Sequence, residues 1–332
     1  MKYLESIRNA LDYLLEKNDK VYIIGEDILD PYGGAFKATK GLSSKYPDRL
    51  LSSPISESLI AGFGTGMAIR GYRPIVEIMF GDFLGLCFDQ ILNSATKFPL
   101  MYKSKIKVPL VIRTPMGGGR GYGPTHSQSI EKHFLGIPGL TVVCPTIFHD
   151  PGKLLISSTL EDETPVLFIE NKILYSKDIF SNKDQLQVDY LENHIYPTAI
   201  IKNFSDKIEE NDVIIFTYGG ISEIVKDVMV DYMDEEINII TICPSLINCF
   251  NFLDEIPEIS YDNILIIEEG TKSFNWASEL SSLLYNKFFN KIKNRIQTIS
   301  PKNDIIPSSK EKEDIFLPNK INIKEKIINM IS

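Results

Sequence analysis

Short aliphatic and β-branched runs recur along the first half of this chain, and no other feature restricts its fold as strongly. "VYIIGED" (21–27), "RPIVEIMF" (73–80), "VPLVIRTP" (108–115), "GLTVVCP" (139–145) and "PVLFIEN" (165–171) are each bounded by Gly, Pro or a charged residue. Runs that are apolar almost throughout, rather than alternating, belong to strands buried on both faces. Between them the segments 2–18, 57–70, 84–98, 128–135 and 150–161 carry helical spacing. Strand and helix alternating over this distance need a parallel sheet wrapped by helices, so the predicted class is α/β.

The 332 residues suffice for two cores, because domains usually run about 100 to 200 residues. The rhythm lapses over the polar stretch 174–211, and the predicted boundary falls inside it, giving one domain over 1–190 and a smaller one over 200–332. Strands resume at "DVIIFTYGG" (212–220), "INIITICP" (237–244), "NILIIEEG" (263–270) and "KNRIQTISP" (293–301), with helices to about 233 and over 274–290. The polar "SSKEKED" (308–314) is predicted to be a surface loop.

Composition excludes several classes. No window approaches the roughly 18 uncharged apolar residues of a membrane span, and a net charge of -9 argues against a general nucleic-acid footprint. The first twenty residues mix acids and bases in an amphipathic pattern unlike a secretory signal, so a cytoplasmic location is expected. Cys87, Cys144, Cys243 and Cys249 stand singly in apolar surroundings and read as reduced core residues.

Open α/β sheets gather their sites at the carboxyl ends of the strands. In "LLSSPISESLIAGFGTGMAIRG" (50–71) one acid, Glu57, heads a run of Gly, Ala and aliphatics. Two readings of it stay open. An acid in the first turn of a helix gains about 0.3 to 1 kcal/mol from the dipole, and Ser52, Ser53 and Ser56 are cap candidates. A carboxyl in a close-packed apolar site instead becomes a proton partner. "GGGRGYG" (117–123) lacks a phosphate fingerprint but can present His126 to a ligand, and of the four histidines that one suits proton transfer. His133, His149 and His194 read as packing or surface residues. Phe80 and Phe83 stand at a strand end, where an aromatic is more often core than cofactor platform.

These pieces, in this order, resemble one family. "GED" with "YGGAFKATKGL" (25–27, 32–42), "SSPISESLIAGFGTGMAIRGYRPIVEIMFGDF" (52–83), "FDQILNSATK" (88–97), "PLVIRTPMGGG" (109–119), "HSQS" (126–129), "PGLTVVCPT" (138–146) and "TPVLFIEN" (164–171) carry the likeness. The family is the beta subunit of the thiamine-diphosphate-dependent decarboxylating component of 2-oxo-acid dehydrogenase complexes. The resemblance implies a transketolase-type pyrimidine-binding domain followed by a smaller transketolase C-terminal domain. It implies that Glu57 hydrogen-bonds the N1' nitrogen of the aminopyrimidine and so favours loss of the thiazolium C2 proton. It further implies that Phe83 stacks on that ring, that Met79 lines it, and that His126 serves acyl transfer. Carbonyls near Leu110, Thr159, Leu160, Asp162 and Thr164 fall where some members hold potassium.

The family's magnesium-binding GDG and Asn pair has no counterpart here, where the chain reads "GDF" (81–83). In split-chain members the alpha subunit holds magnesium and the diphosphate, so the resemblance implies an α2β2 heterotetramer acting on a 2-oxo acid. The family docks a lipoyl acyltransferase through its second domain, and there this chain departs, with "CPSLINCFNFLDEI" (243–256) and "EEGTKSFNWASEL" (268–280). That departure leaves two further readings: a biosynthetic carboligase without a lipoyl partner, and a catalytically silent structural subunit.

Overall fold

The computed structural model describes residues 1–181, 186–191, 195–204, 211–257 and 259–332; His194 lies outside them. The chain packs as two compact units. One comprises Met1–Met116, His133–Val143 and Asp150–Asp178, the other Gly117–Lys132, Cys144–His149 and Ile179–Ser332.

The first unit is built on β1 (Val21–Gly25), β2 (Leu50–Ser52), β3 (Arg73–Glu77), β4 (Val111–Met116), β5 (Thr141–Val143) and β6 (Val166–Asn171). They pair in the order β2-β1-β3-β4-β6-β5, every pair parallel. All residues of β4 and β6 are buried, as strands covered on both faces must be. Helix Tyr3–Lys17 buries Tyr3, Ile7, Leu11 and Leu14 along one stripe, following the spacing of its apolar residues. Helix Glu57–Ile69 lies against β3. A Cβ on its Gly64 would stand 2.6 Å from Val76 Cγ1 and 3.0 Å from Leu110 Cδ1, so glycine there permits the approach.

In the second unit β7 (Gln187–Leu191), β8 (Thr198–Lys202), β9 (Val213–Thr217), β10 (Ile239–Pro244), β11 (Ile264–Ile267) and β12 (Gln297–Ile299) pair in the order β12-β11-β9-β10-β8-β7. This sheet is mixed, with β8 antiparallel to both neighbours. Helices Ile221–Met233 and Trp276–Phe288 follow β9 and β11.

Three expectations differ from what is observed. The helix expected over 84–98 is a 3-10 helix, Gly81–Cys87, then a π-helix, Gln90–Ala95. The helix expected over 128–135 is one 3-10 turn, Glu131–His133, because Lys132 is drawn to the Thr271 carbonyl and hydroxyl and Gly136 and Pro138 follow. The polar "SSKEKED" is not a surface loop: helix Lys310–Phe316 begins within it, and its Glu313 is wholly buried. Its carboxylate meets backbone N–H groups that no local pattern can reveal. Cys87, Cys144 and Cys243 are buried free thiols and Cys249 is half-buried. Among the described residues no helix is long and apolar enough to cross a membrane.

Candidate cofactor site

The first sheet reverses strand order at β1 and β3: the chain moves from β1 to β2 on one side, then crosses to β3 on the other. Such a switch point opens a crevice beyond the carboxyl ends of the strands. Three acids or aromatics stand just past those ends: Glu26 after β1, Glu57 after β2, and Phe83 after β3. Met79 lies between β3 and the 3-10 helix and is half-buried, as is Phe83.

Glu57 is the first residue of its helix and only 6% exposed. Ser56 precedes it with extended backbone and makes no side-chain cap bond; its N–H donates to Glu26 Oε1 at 3.1 Å. Among the described residues, none donates a hydrogen bond to the Glu57 carboxylate. The residue is buried as a whole, yet its carboxylate oxygens are not among the atoms sealed from solvent, so the carboxylate is open to a group from outside the chain. Nearby, Ser53 Oγ and Gln90 Oε1 are buried without a partner. Helix Glu57–Ile69 packs on the 3-10 helix that carries Phe83, and Cys87 Sγ at its end donates to the Glu57 carbonyl at 3.3 Å. Phe83 meets Phe80 edge-to-face at 6.3 Å, and Phe80 meets Phe36 at 5.5 Å. A carboxylate without a donor and an aromatic on the adjoining element suit an aminopyrimidine, which has a polar edge and a flat apolar face.

Charge around Glu57 favours bound protons. Burial raises the Glu26 carboxyl, and the charge of Glu57 raises it further. Burial likewise pushes the Cys87 thiol up to about 12, with Glu57 and Glu26 adding to it.

Beneath the crevice β3, β4 and β6 carry a buried ionic group. Arg113 on β4 donates to Glu170 Oε1 at 2.8 Å and Oε2 at 2.6 Å, and its other nitrogen pairs with Glu77. Tyr175 donates its hydroxyl to Glu170 Oε2 at 2.5 Å. Burial raises the Glu77 carboxyl and the Arg113 charge opposes it. Glu77 ends β3, two residues before Met79, so this group fixes the strand end from which Met79 and Phe83 depart.

Three of the five carbonyls considered for potassium already meet donors. Thr159 and Asp162 accept from Arg73 Nη1 at 2.7 and 3.2 Å, and Leu110 accepts from the Val166 N–H at 2.8 Å. Asp162 Oδ1 accepts the Thr164 N–H at 2.8 Å, and Leu160 closes helix Pro151–Leu160. Arg73 thus supplies a positive charge at these oxygens.

His126 belongs to the second unit, half-buried, with Thr125 Oγ1 3.0 Å from its Nδ1. His133 is exposed. His149 is buried beside Thr146, and burial lowers it to about 4. The second unit also holds a buried acid pair absent from the sequence reading. Tyr218 donates its hydroxyl to Glu131 Oε1 at 2.5 Å and lies 3.4 Å from Glu268 Oε2. Burial pushes Glu131 up to about 7 and Glu268 up to about 8.

Both acids hold protons in the folded chain that the unfolded chain releases. Their contribution to stability is therefore present at acid pH and lost as pH rises from about 4.5 through 7 to 8. Glu131→Gln, which cannot ionise, is expected to melt close to wild type at pH 5 and several degrees higher at pH 8. The gain corresponds to at most about 3 kcal/mol. Calorimetry at the two pH values measures it; a variant less stable than wild type at pH 8 contradicts the assignment.

The pyrimidine-binding domain family of transketolase matches residues 1–177. The beta subunit of acetoin:2,6-dichlorophenolindophenol oxidoreductase from Cupriavidus necator is 32% identical over 330 residues, covering 96% of this chain and 94% of that one. The beta subunit of the pyruvate dehydrogenase E1 component from Chaetosphaeridium globosum is 32% identical over 326 residues, covering 96% and 94%. The solved structure of a split-gene transketolase, an inactive beta4 tetramer, superposes with a TM-score of 0.70 over 100% of this chain and 98% of that one, at 16% identity, which shows the shared fold.

The fold is that of the transketolase-like proteins. Within them, the chain belongs to the family of beta subunits that includes those of pyruvate and acetoin dehydrogenases. Sequence reasoning singled out Glu57, Phe83, Met79 and His126, took Ser53 only as a cap candidate, and passed over Glu26 and Gln90. Glu26 carried a usable signal, since it stands one residue past a buried strand.

Proposed function

We propose that this chain is the beta subunit of a thiamine-diphosphate-dependent 2-oxo-acid dehydrogenase that decarboxylates a 2-oxo acid and passes the acyl group to a lipoyl acceptor. In this reading residues 1–190 form the pyrimidine-binding domain and 200–332 the transketolase C-terminal domain. One observation carries the proposal: the carboxylate of Glu57, a mostly buried residue, has no donor among the described residues, at the switch point of the first sheet.

Glu57 meets N1' of the aminopyrimidine by a hydrogen bond. Burial and the neighbouring Glu57 charge raise the Glu26 carboxyl beside it. Phe83 offers its face to the ring and Met79 fills the edge. His126 gives or takes the proton that moves as the acyl group leaves. The cofactor, when bound, supplies the electron-accepting centre at which carbon dioxide is lost. Magnesium and the diphosphate end fall to a second chain, the alpha subunit, and an α2β2 assembly follows.

The test is to combine the chain with its alpha partner, thiamine diphosphate and magnesium and to measure carbon dioxide released from a panel of 2-oxo acids. Release is expected from at least one acid and only with both chains present. Release by this chain alone, or none from any acid by the assembled complex, contradicts the proposal.

A further inference from the structure

The loop that carries His126 is tied to a carboxylate that lies nearly two hundred residues further along the chain. Four glycines, Gly117, Gly119, Gly121 and Gly123, have φ of 96°, 82°, 72° and 80°, while the residues between them do not enter that region. Backbone of alternating hand turns successive N–H groups to one side and forms a concave nest for an anion. Gly119 and Gly121 need their positive φ for this. Their N–H groups converge on one side chain, donating to Glu313 Oε1 at 3.1 Å and Oε2 at 2.5 Å.

Glu313, on helix Lys310–Phe316, is fully buried. Leu317, at the end of that helix, covers Gly118, where a Cβ would stand 2.6 Å from its Cδ1. A second acid ties the flanks: Glu269 accepts the Gly118 N–H and, at 2.9 Å, the Ser129 hydroxyl. The loop has no helix or strand of its own between β4 and Glu131. Three of its N–H groups, those of Gly118, Gly119 and Gly121, are held by these two carboxylates, while those of Gly117 and His126 donate to the Gln128 and Gly123 carbonyls.

We infer that Glu313 is a positioning residue for His126: its carboxylate fills the glycine nest as a built-in anion and fixes the loop that presents the imidazole. The inference rests on the role given to His126 in the proposed function. Without Glu313 two backbone N–H groups lose their acceptor and the loop loses its shape. Small displacements of a proton-transfer group cost rate on the order of 10- to 100-fold.

Glu313→Ala and Glu313→Gln are compared with wild type in the full chain by hydrogen exchange, and in the reconstituted enzyme by acyl-transfer kinetics. Amides of 117–126 are expected to exchange at least about 10-fold faster in the alanine variant. The acyl-transfer kcat is expected to fall about 10- to 100-fold, with KM for the 2-oxo acid within about 2-fold of wild type. Glu313→Gln keeps one acceptor, loses less, and carries the test alone if the alanine variant does not fold. Adding Glu313→Ala to His126→Ala should lower the rate no further, since both act through one imidazole.

Unchanged exchange in both variants overturns the inference, and so does faster exchange with unchanged transfer. A fully active His126→Ala would instead remove the proposed role of His126, leaving the exchange measurement to decide whether Glu313 holds the loop.

Discussion

Glu57→Ala is expected to lower turnover about 10²- to 10⁴-fold while the fold and the assembly stay intact. The two effects separate because the Glu57 carboxylate receives no hydrogen bond among the described residues, so its removal breaks no structural tie. What the helix loses is the interaction of an acid with its first turn, about 0.3 to 1 kcal/mol. If helix stabilisation were its only task, the melting temperature would drop by a few degrees and turnover would hold. If Glu57 supplies the proton at N1', turnover collapses and stability changes little. Glu57→Gln sharpens the comparison, since it preserves shape and removes the acid. Carbon dioxide release and thermal melting on the same preparations distinguish the outcomes.

The largest effect on stability is expected at Arg113. Its guanidinium serves two buried carboxylates, Glu77 on β3 and Glu170 on β6, so the group already carries excess negative charge. Arg113→Met fills similar volume but leaves both acids unpaired in the core. Breaking a buried pair in this way costs about 3 to 5 kcal/mol. Glu77, which burial raises and Arg113 alone opposes, would then take up a proton, and the variant should lose more stability at pH 8 than at pH 5. Denaturant titration at both pH values measures this; a loss under about 1 kcal/mol at each would show that the group contributes little. Because Glu77 ends the strand leading to Met79 and Phe83, cofactor affinity should fall with stability.

The architecture was largely legible because it depends on local pattern. Strands such as "VLFIEN" are apolar through most of their length since both faces are covered, and helix Glu57–Ile69 follows the helical spacing read over 57–70. Segments whose conformation is set at a distance were not legible. The turn Glu131–His133 is held by Tyr218 and Thr271, and the charged "KEKED" folds around one buried acid whose partners are loop amides. Periodicity cannot report such ties. The site was legible in part: Glu57 could be named from the residues but remained divided between cap and chemistry. The ordered motifs favoured chemistry, and a carboxylate that no described residue engages is available for that role. Glu26 escaped notice because a lone acid after a strand looks like any strand end.

Exchange of the C2 proton of thiamine diphosphate, bound to the enzyme assembled with its alpha subunit, reads the step assigned to Glu57 directly. Rapid quench into deuterated water is expected to show exchange at least about 100-fold faster in wild type than in Glu57→Ala, with equal cofactor occupancy. Equal exchange rates at equal occupancy would contradict the role given to Glu57.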